Sequence, residues 1–290
     1  MTTVCDVMDD LRAMAAIKAA LAEDVGEGDA TTLALVDPAA RATGEILARE
    51  ACRVAGVTVA RAVLTCVDPA LRVAVIVPDG ETVEPGDTIL TIEGKATSIL
   101  TAERTALNFM QRMCGIATLT ARFVKAVEAY GTMILDTRKT TPNLRLFEKY
   151  AVTCGGGTNH RFGLYDRVLV KDNHRRLWQG GDPDRLDLAV AAAREAFPLL
   201  EVEIEVESVA ECQSALRGRP EWIMLDNMSC EMMRTCVALC RGVSKTEASG
   251  GITLARAQEV AATGVDAISL GCLTHSAPSV DLALEWRAVQ

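Results

Sequence analysis

The chain has 290 residues, 49% of them hydrophobic, enough to bury the core of one α/β barrel or of two smaller domains. Its 30 basic against 39 acidic residues leave a net charge of −9, which gives no overall pull toward nucleic acid or an anionic membrane; any anion it binds must be met by local cations. No apolar run reaches the ~18 residues needed to span a bilayer, and the acidic stretch from Met1 to Asp10 has no basic segment leading into an apolar one, so neither a membrane nor a nucleic-acid partner is expected and the location should be cytoplasmic.

In chain order, Leu11, Met14, Ile17 and Leu21 recur at helical spacing and predict an amphipathic opening helix. The loop from Glu23 to Asp29 follows, rich in glycine and acids. Short strands are predicted at Gly44 to Arg49, Leu71 to Val77 and Asp87 to Ile92, separated by Pro-Asp-Gly and Pro-Gly turns, and a helix from Ser98 to Met113 closes this part. From Gly131 onward, apolar runs ending in polar residues alternate with helix-like segments, the pattern of a parallel sheet or barrel. The runs are Met133 to Asp136, Val168 to Lys171, Val202 to Glu207, Trp222 to Asp226, Thr246 to Gly250 and Ala267 to Gly271. With Glu205, Asp226, Ser249 and Gly271 as strand-end markers, the last intervals are 21, 23 and 22 residues, one strand and one helix each. Ser208 with Glu211 reads as a capping box, and Gly242 and Gly264 stand where helices should end. Six strands fall short of the eight of a complete barrel, so the barrel should be open. The ten cysteines include no C-x-x-C pair and read as reduced, mostly buried residues; Cys230, Cys236 and Cys240 share a predicted helix with no histidine nearby, a poor metal site.

Polar residues at barrel-strand C-termini face a common mouth, and the candidates for chemistry lie there. Arg138 and Lys139 follow the strand that ends at Asp136. A glycine-rich loop, Gly155 to Thr158, leads into Asn159-His160-Arg161, and Lys171 ends the next strand. An imidazole beside a guanidinium suits a carboxylate. Glu205 and Asp226 end successive strands, where they could share a cation, face developing positive charge, or simply serve as helix N-terminal acids. Glu201, Glu203, Glu205 and Glu207 fall on one side of a strand by its period of two, and if that side is interior they need cationic partners. Ser249-Gly250-Gly251 and Leu270-Gly271-Cys272 are small-residue turns that either bind phosphate through backbone N–H groups or only turn tightly. There is no Walker A motif and no full G-x-G-x-x-G.

Taken together, Ile134-Leu135-Asp136-Thr137-Arg138-Lys139-Thr140, Lys149-Tyr150-Ala151-Val152, Cys154-Gly155-Gly156-Gly157 and Asn159-His160-Arg161 resemble the quinolinate phosphoribosyltransferase family. Leu164-Tyr165-Asp166, Lys171-Asp172-Asn173-His174, Met224-Leu225-Asp226-Asn227, Glu247-Ala248-Ser249-Gly250-Gly251 and Leu273-Thr274-His275-Ser276 continue the resemblance in order, and Glu23-Asp24, Gly28-Asp29, Thr31-Thr32 and Glu103 to Asn108 extend it to the N-terminal half. Asn143 and Cys114 depart from the usual glycine and serine. The resemblance implies a mixed α/β N-terminal domain over residues 1–113 with the tail 273–290 packing back on it, and an open α/β barrel over 114–272. It also implies a homodimer with shared active sites and magnesium-dependent use of phosphoribosyl pyrophosphate. By matching position, Arg104, Thr137, Arg138, His160, Arg161 and Lys171 are expected to hold quinolinate. Lys139, Glu205 and Asp226 are the expected catalytic residues. Phosphoribosyl pyrophosphate should be met by Lys139, Lys171, Glu205, Asp226, Ser249, Gly250, Gly251, Leu270, Gly271 and Cys272, with Glu205 and Asp226 also toward Mg2+. Two rivals are a molybdenum-transport-associated homologue of the same fold, which the Arg138, His160 and Arg161 set argues against, and a lipoyl-type carrier hairpin around Lys95.

Overall fold

The computed structural model describes residues 7–178 and 181–289; residues 1–6, within the acidic start noted above, lie outside it. The chain forms two compact units. The first combines the residues up to Ala121 with Lys139–Gly156 and everything from Cys272 onward; the second comprises Arg122–Arg138 and Gly157–Gly271.

In the first unit, α1 (Leu11–Val25) begins at Asp10, whose carboxylate accepts a hydrogen bond from the Arg12 amide (2.8 Å). The face it buries is Ala13, Ile17 and Leu21, a row four residues apart, while Leu11 is 91% exposed; the predicted stripe had the right period and the wrong first residues. Asp29 caps α2 (Ala30–Leu35) by accepting from the Thr32 amide and hydroxyl, which accounts locally for the Gly28-Asp29 and Thr31-Thr32 motif. Next come β1 (Arg41–Ala48), β2 (Cys52–Arg53), α3 (Val57–Val67), β3 (Arg72–Val75), β4 (Thr82–Val83) and β5 (Thr88–Lys95). β3, β5 and β1 form an antiparallel sheet whose far edge is the C-terminal strand Leu282–Val289, paired along nearly the whole of β1. Lys95 pairs opposite Arg41 at the end of β5 and runs straight into a helix, so it is no hairpin tip and the carrier reading is corrected.

That helix, α4 (Ala96–Val127), is twice the predicted length. The expected stop lay beside Gly115, a residue that weakens a helix interior by about 1 kcal/mol relative to alanine. Here glycine serves packing, since a Cβ at Gly115 would overlap the Pro278 carbonyl. A further helix, α5 (Arg145–Cys154), buries Phe147 against Phe109 of α4, with ring centroids 5.0 Å apart.

The second unit holds β6 (Met133–Leu135), β7 (Val168–Val170), β8 (Val202–Val206), β9 (Trp222–Asp226), β10 (Lys245–Ser249) and β11 (Ala267–Ser269). They form one parallel sheet in the order β6-β11-β10-β9-β8-β7, six strands as predicted, an open α/β barrel. The connections carry α6 (Asp172–Leu177), α7 (Leu186–Ala196), α8 (Val209–Arg217), α9 (Cys230–Cys240) and α10 (Leu254–Ala261). Ser208 accepts from the Glu211 amide, but the Glu211 carboxylate reaches back to the Glu207 amide, one residue earlier than a standard capping box. Gly242 and Gly264 take positive φ where their helices end. Cys212 and Cys240 meet between α8 and α9 as packed thiols, Sγ to Sγ 3.6 Å. Among the described residues, no helix is long and apolar enough to cross a membrane.

Candidate active site

The mouth of the second unit is organised by Asp136, fully buried just past β6. A carboxylate taken out of water needs donors, and Asp136 Oδ1 accepts from the His160 amide (2.8 Å). Thr158 runs parallel to Leu135 as a one-residue bridge, its amide donating to the Ile134 carbonyl (2.8 Å). The sequence separation between Asp136 and His160 is thereby closed, and His160 and Arg161 are fixed at the end of β6.

His160 is buried, and its Nε2 lies 3.0 Å from Glu203 Oε2 on β8 and 3.4 Å from Glu247 Oε2 on β10. Burial alone would lower this imidazole, but hydrogen bonding to the two glutamates and their charge outweigh it and raise the ring to about 9. On the other side, Nδ1 accepts the Arg161 amide at 2.7 Å. That bond fixes the ring's orientation, and it opposes the second ring proton that the two carboxylates favour. Glu203 is held below the usual carboxylate range: burial would raise it, but His160 and then Arg167, 3.3 Å away, prevail. Glu247 is pushed up by burial and by the charge of Glu203. His160, Glu203 and Glu247 are the one group of three metal-ligating types found converging among the described residues. Arg167 supplies the group with positive charge, while also pairing with Glu201 (2.7 Å) and lying over the Trp222 ring at 5.4 Å.

The condition set on the four glutamates of this strand, that their side be interior, is met by two of them. Only Glu203 and Glu205 lie inside; Glu201 and Glu207 fall just beyond the ends of β8 and are exposed. Sequence reasoning placed no role on Arg167 or Glu247, and took Glu203 only as one of the row. The available signal was an acid flanked by Val202 and Ile204 in a strand that alternates valine or isoleucine with glutamate, a charge that must find a partner if the strand is interior.

Arg161 is buried and donates to the Arg167 carbonyl (3.2 Å). Its guanidinium is depressed first by burial and next by the positive charge of Arg138. Two guanidinium groups that repel each other at a barrel mouth form a site that an anion relieves. Lys171, at the start of α6, is ion-paired with Glu205, 7% exposed on β8. Asp226, half-buried at the end of β9, accepts from Asn227 Nδ2 (2.7 Å). Asn227 is itself left-handed (φ 52°) and donates its amide to the Ser249 carbonyl (3.0 Å), tying the β9 and β10 ends together. Gly250 (φ 95°) sits against it, and a Cβ there would overlap Asn227 Oδ1.

Thr137, Arg138, His160, Arg161, Lys171, Glu205, Asp226, Ser249, Gly250, Gly251, Leu270 and Gly271 all lie in the second unit, at strand ends or in the loops after them. Arg104, Lys139 and Cys272 belong to the first: Arg104 is exposed on α4, Lys139 is exposed, and Cys272 begins a four-residue helical turn. The Leu270 expectation needs correction. Its amide donates to the Leu135 carbonyl (2.9 Å), completing the β11–β6 edge, and is spent in the sheet rather than offered to a phosphate.

The Glu247 arrangement makes a pH-dependent prediction. A carboxyl raised in the folded state above its ordinary 4.5 binds its proton more tightly there than in the unfolded chain, so folding stability falls as pH rises above about 4.5. Glu247→Gln removes that loss. The variant should melt higher than the parent at pH 8, with the difference vanishing toward pH 4.5. Calorimetric melts across that range check it; a variant less stable at pH 8 would show that Glu247 is ionised and supported.

Comparison with known proteins adds independent findings. A family model described as the N-terminal domain of quinolinate phosphoribosyl transferase matches residues 29–114, and one described as its C-terminal domain matches residues 116–285. A nicotinate-nucleotide pyrophosphorylase [carboxylating] of Mycobacterium leprae is 42% identical over 277 residues, covering 93% of this chain and 95% of its own length. Among solved structures, NadC from Streptococcus pyogenes superposes with a TM-score of 0.89 at 41% identity, covering 95% of each chain. The nicotinate-nucleotide pyrophosphorylase from Francisella tularensis gives 0.89 at 36%, covering 95% of this chain and 96% of that one.

Proposed function

Because the chain belongs to the quinolinate phosphoribosyltransferase family, we propose that it transfers the phosphoribosyl group of phosphoribosyl pyrophosphate to quinolinate with decarboxylation, forming nicotinate mononucleotide, pyrophosphate and carbon dioxide for NAD synthesis. The observation that carries this reading is the like-charged pair Arg138 and Arg161 at the strand ends, beside a histidine whose main chain is held by Asp136 and whose ring lies between the Arg161 amide and Glu203. A planar dicarboxylate matches the forked geometry of two arginines. In this reading Arg138, Arg161, His160, Lys171 and Thr137 hold quinolinate.

As pyrophosphate leaves, the ribose carbon gains positive character, which Glu205 and Asp226 stabilise while the pyridine nitrogen attacks it. The bond to pyrophosphate breaks as the carbon–nitrogen bond forms. The alkylated ring nitrogen is a cation, so it accepts the electron pair left when the adjacent carboxylate departs as carbon dioxide, and that ring carbon then takes up a proton. Lys139 meets the pyrophosphate, and the turn at Ser249, Gly250 and Gly251 receives the 5′-phosphate. Glu205 and Asp226 supply the carboxylate oxygens that suit Mg2+, an ion that binds through one or two carboxylates together with substrate phosphates, and there it would neutralise pyrophosphate charge. The protein acts as a cytoplasmic homodimer in which Arg104 completes the partner's quinolinate site.

Labelled quinolinate tests the reading. Carbon dioxide should appear only when phosphoribosyl pyrophosphate and magnesium are both present, in amounts equal to the nucleotide formed. Nucleotide formation from another acceptor, with quinolinate inert, would replace it with the molybdenum-transport-associated alternative.

A further inference from the structure

Arg112, Glu148, Thr141 and Thr274 take no part in the reaction as described, yet they form a closed ring of hydrogen bonds around the main chain of Lys139. Glu148, on α5, is 1% exposed and fully engaged. It accepts from Arg112 Nε (3.1 Å) and Nη2 (2.8 Å) on α4, and from the Thr141 amide (3.0 Å) and hydroxyl (2.8 Å). Three of these donors converge on Oε1 and one reaches Oε2, so both oxygens of the buried carboxylate are supported. Arg112 gives two further donors to the Ala277 carbonyl (2.7 Å) and the Thr274 carbonyl. Thr274, completely buried, closes the ring by donating its hydroxyl to the Lys139 carbonyl at 2.8 Å. Lys139 is thus gripped two residues downstream through Thr141 and at its own carbonyl through Thr274, while its side chain stays exposed.

Long exposed lysines lose entropy when they are ordered on a ligand. A main chain held at two points, its own carbonyl and Thr141 just downstream, reduces that cost and limits where the ammonium can reach. We propose that Arg112, Glu148 and Thr274 are positioning residues that hold Lys139 for the pyrophosphate of phosphoribosyl pyrophosphate. The inference rests on the reading of Lys139 as a pyrophosphate contact. It also gives a purpose to Thr274 in the Leu273-Thr274-His275-Ser276 motif, which the reaction itself does not use.

Thr274→Val is the gentle probe, because it removes one hydroxyl donor and keeps the shape; Glu148→Gln probes the other side and is compared by melting temperature. Thr274→Val should raise the KM for phosphoribosyl pyrophosphate about three- to tenfold, the effect of one lost hydrogen bond, with calorimetric quinolinate affinity within about twofold. In a Lys139→Ala background the same change should add less than about twofold, since the residue it positions is gone. A merely structural role would give the same increment in both backgrounds, or would weaken both substrates alike, and either result overturns the inference. If Lys139→Ala alone leaves the KM for phosphoribosyl pyrophosphate unchanged, the reading of Lys139 fails and the inference with it. If Lys139→Ala raises that KM but Thr274→Val and Glu148→Gln do not, only the positioning role fails.

Discussion

Asp226→Ala is expected to lower turnover by about two to three orders of magnitude while quinolinate affinity stays within about twofold. The residue ends β9, next to a left-handed Asn227 whose amide is tied to the end of β10, so its carboxylate is held in place rather than free to sweep the mouth. A fixed negative charge of this kind acts on positive character that develops only as the bond to pyrophosphate breaks. It therefore lowers the barrier more than it strengthens ground-state binding. Asp226→Asn separates charge from shape: if the effect is electrostatic, the amide should be nearly as impaired as the alanine. Steady-state kinetics at saturating magnesium, with quinolinate binding measured by calorimetry, checks this. Normal turnover in either variant would remove Asp226 from the reaction.

Mixing two inactive chains should restore activity. Arg104 is exposed on α4 in the first unit, whereas the other residues proposed for quinolinate, Thr137, Arg138, His160, Arg161 and Lys171, all lie in the second. If Arg104 serves the partner's site, an Arg104→Ala chain paired with an Asp226→Ala chain gives one site that lacks both groups and one that has both. Each homodimer is impaired at both sites. By the two-fold symmetry of such an assembly, the heterodimer should recover up to about half of wild-type activity. Differently tagged chains, partly dissociated and re-associated, allow heterodimers to be isolated and assayed. Verified heterodimers with no recovered activity would place Arg104 in its own chain's site.

The strands of the second unit were legible because each is a short apolar run closed by a polar residue, and an open parallel sheet follows from counting six of them. Caps and stops were legible for the same local reason: Ser208, Gly242 and Gly264 act on their own backbone or that of near neighbours. The candidate site was legible as a set of residue types, cations and acids at the strand ends where such a barrel opens. What failed were positions decided by distant neighbours. α4 runs through Gly115, where the glycine is required because a Cβ would overlap the carbonyl of Pro278, far along the chain. Leu270 looked like a phosphate turn, but its amide completes the sheet edge with Leu135.

The amino-acid sequence by itself therefore determined the barrel class, the family and the composition of the mouth, because these rest on periodicity and on motifs read along the chain. Tertiary structure alone decided which charges neutralise one another. Glu203 and Glu247 lie on strands separated by β9, and His160 comes from a loop beside β6, so no spacing along the chain announces that they meet. The Arg112–Glu148 pair that grips the Lys139 segment likewise joins two helices through side chains 36 residues apart. Contacts of this kind are set by where folded elements pack, and burial then fixes which of the groups carry charge.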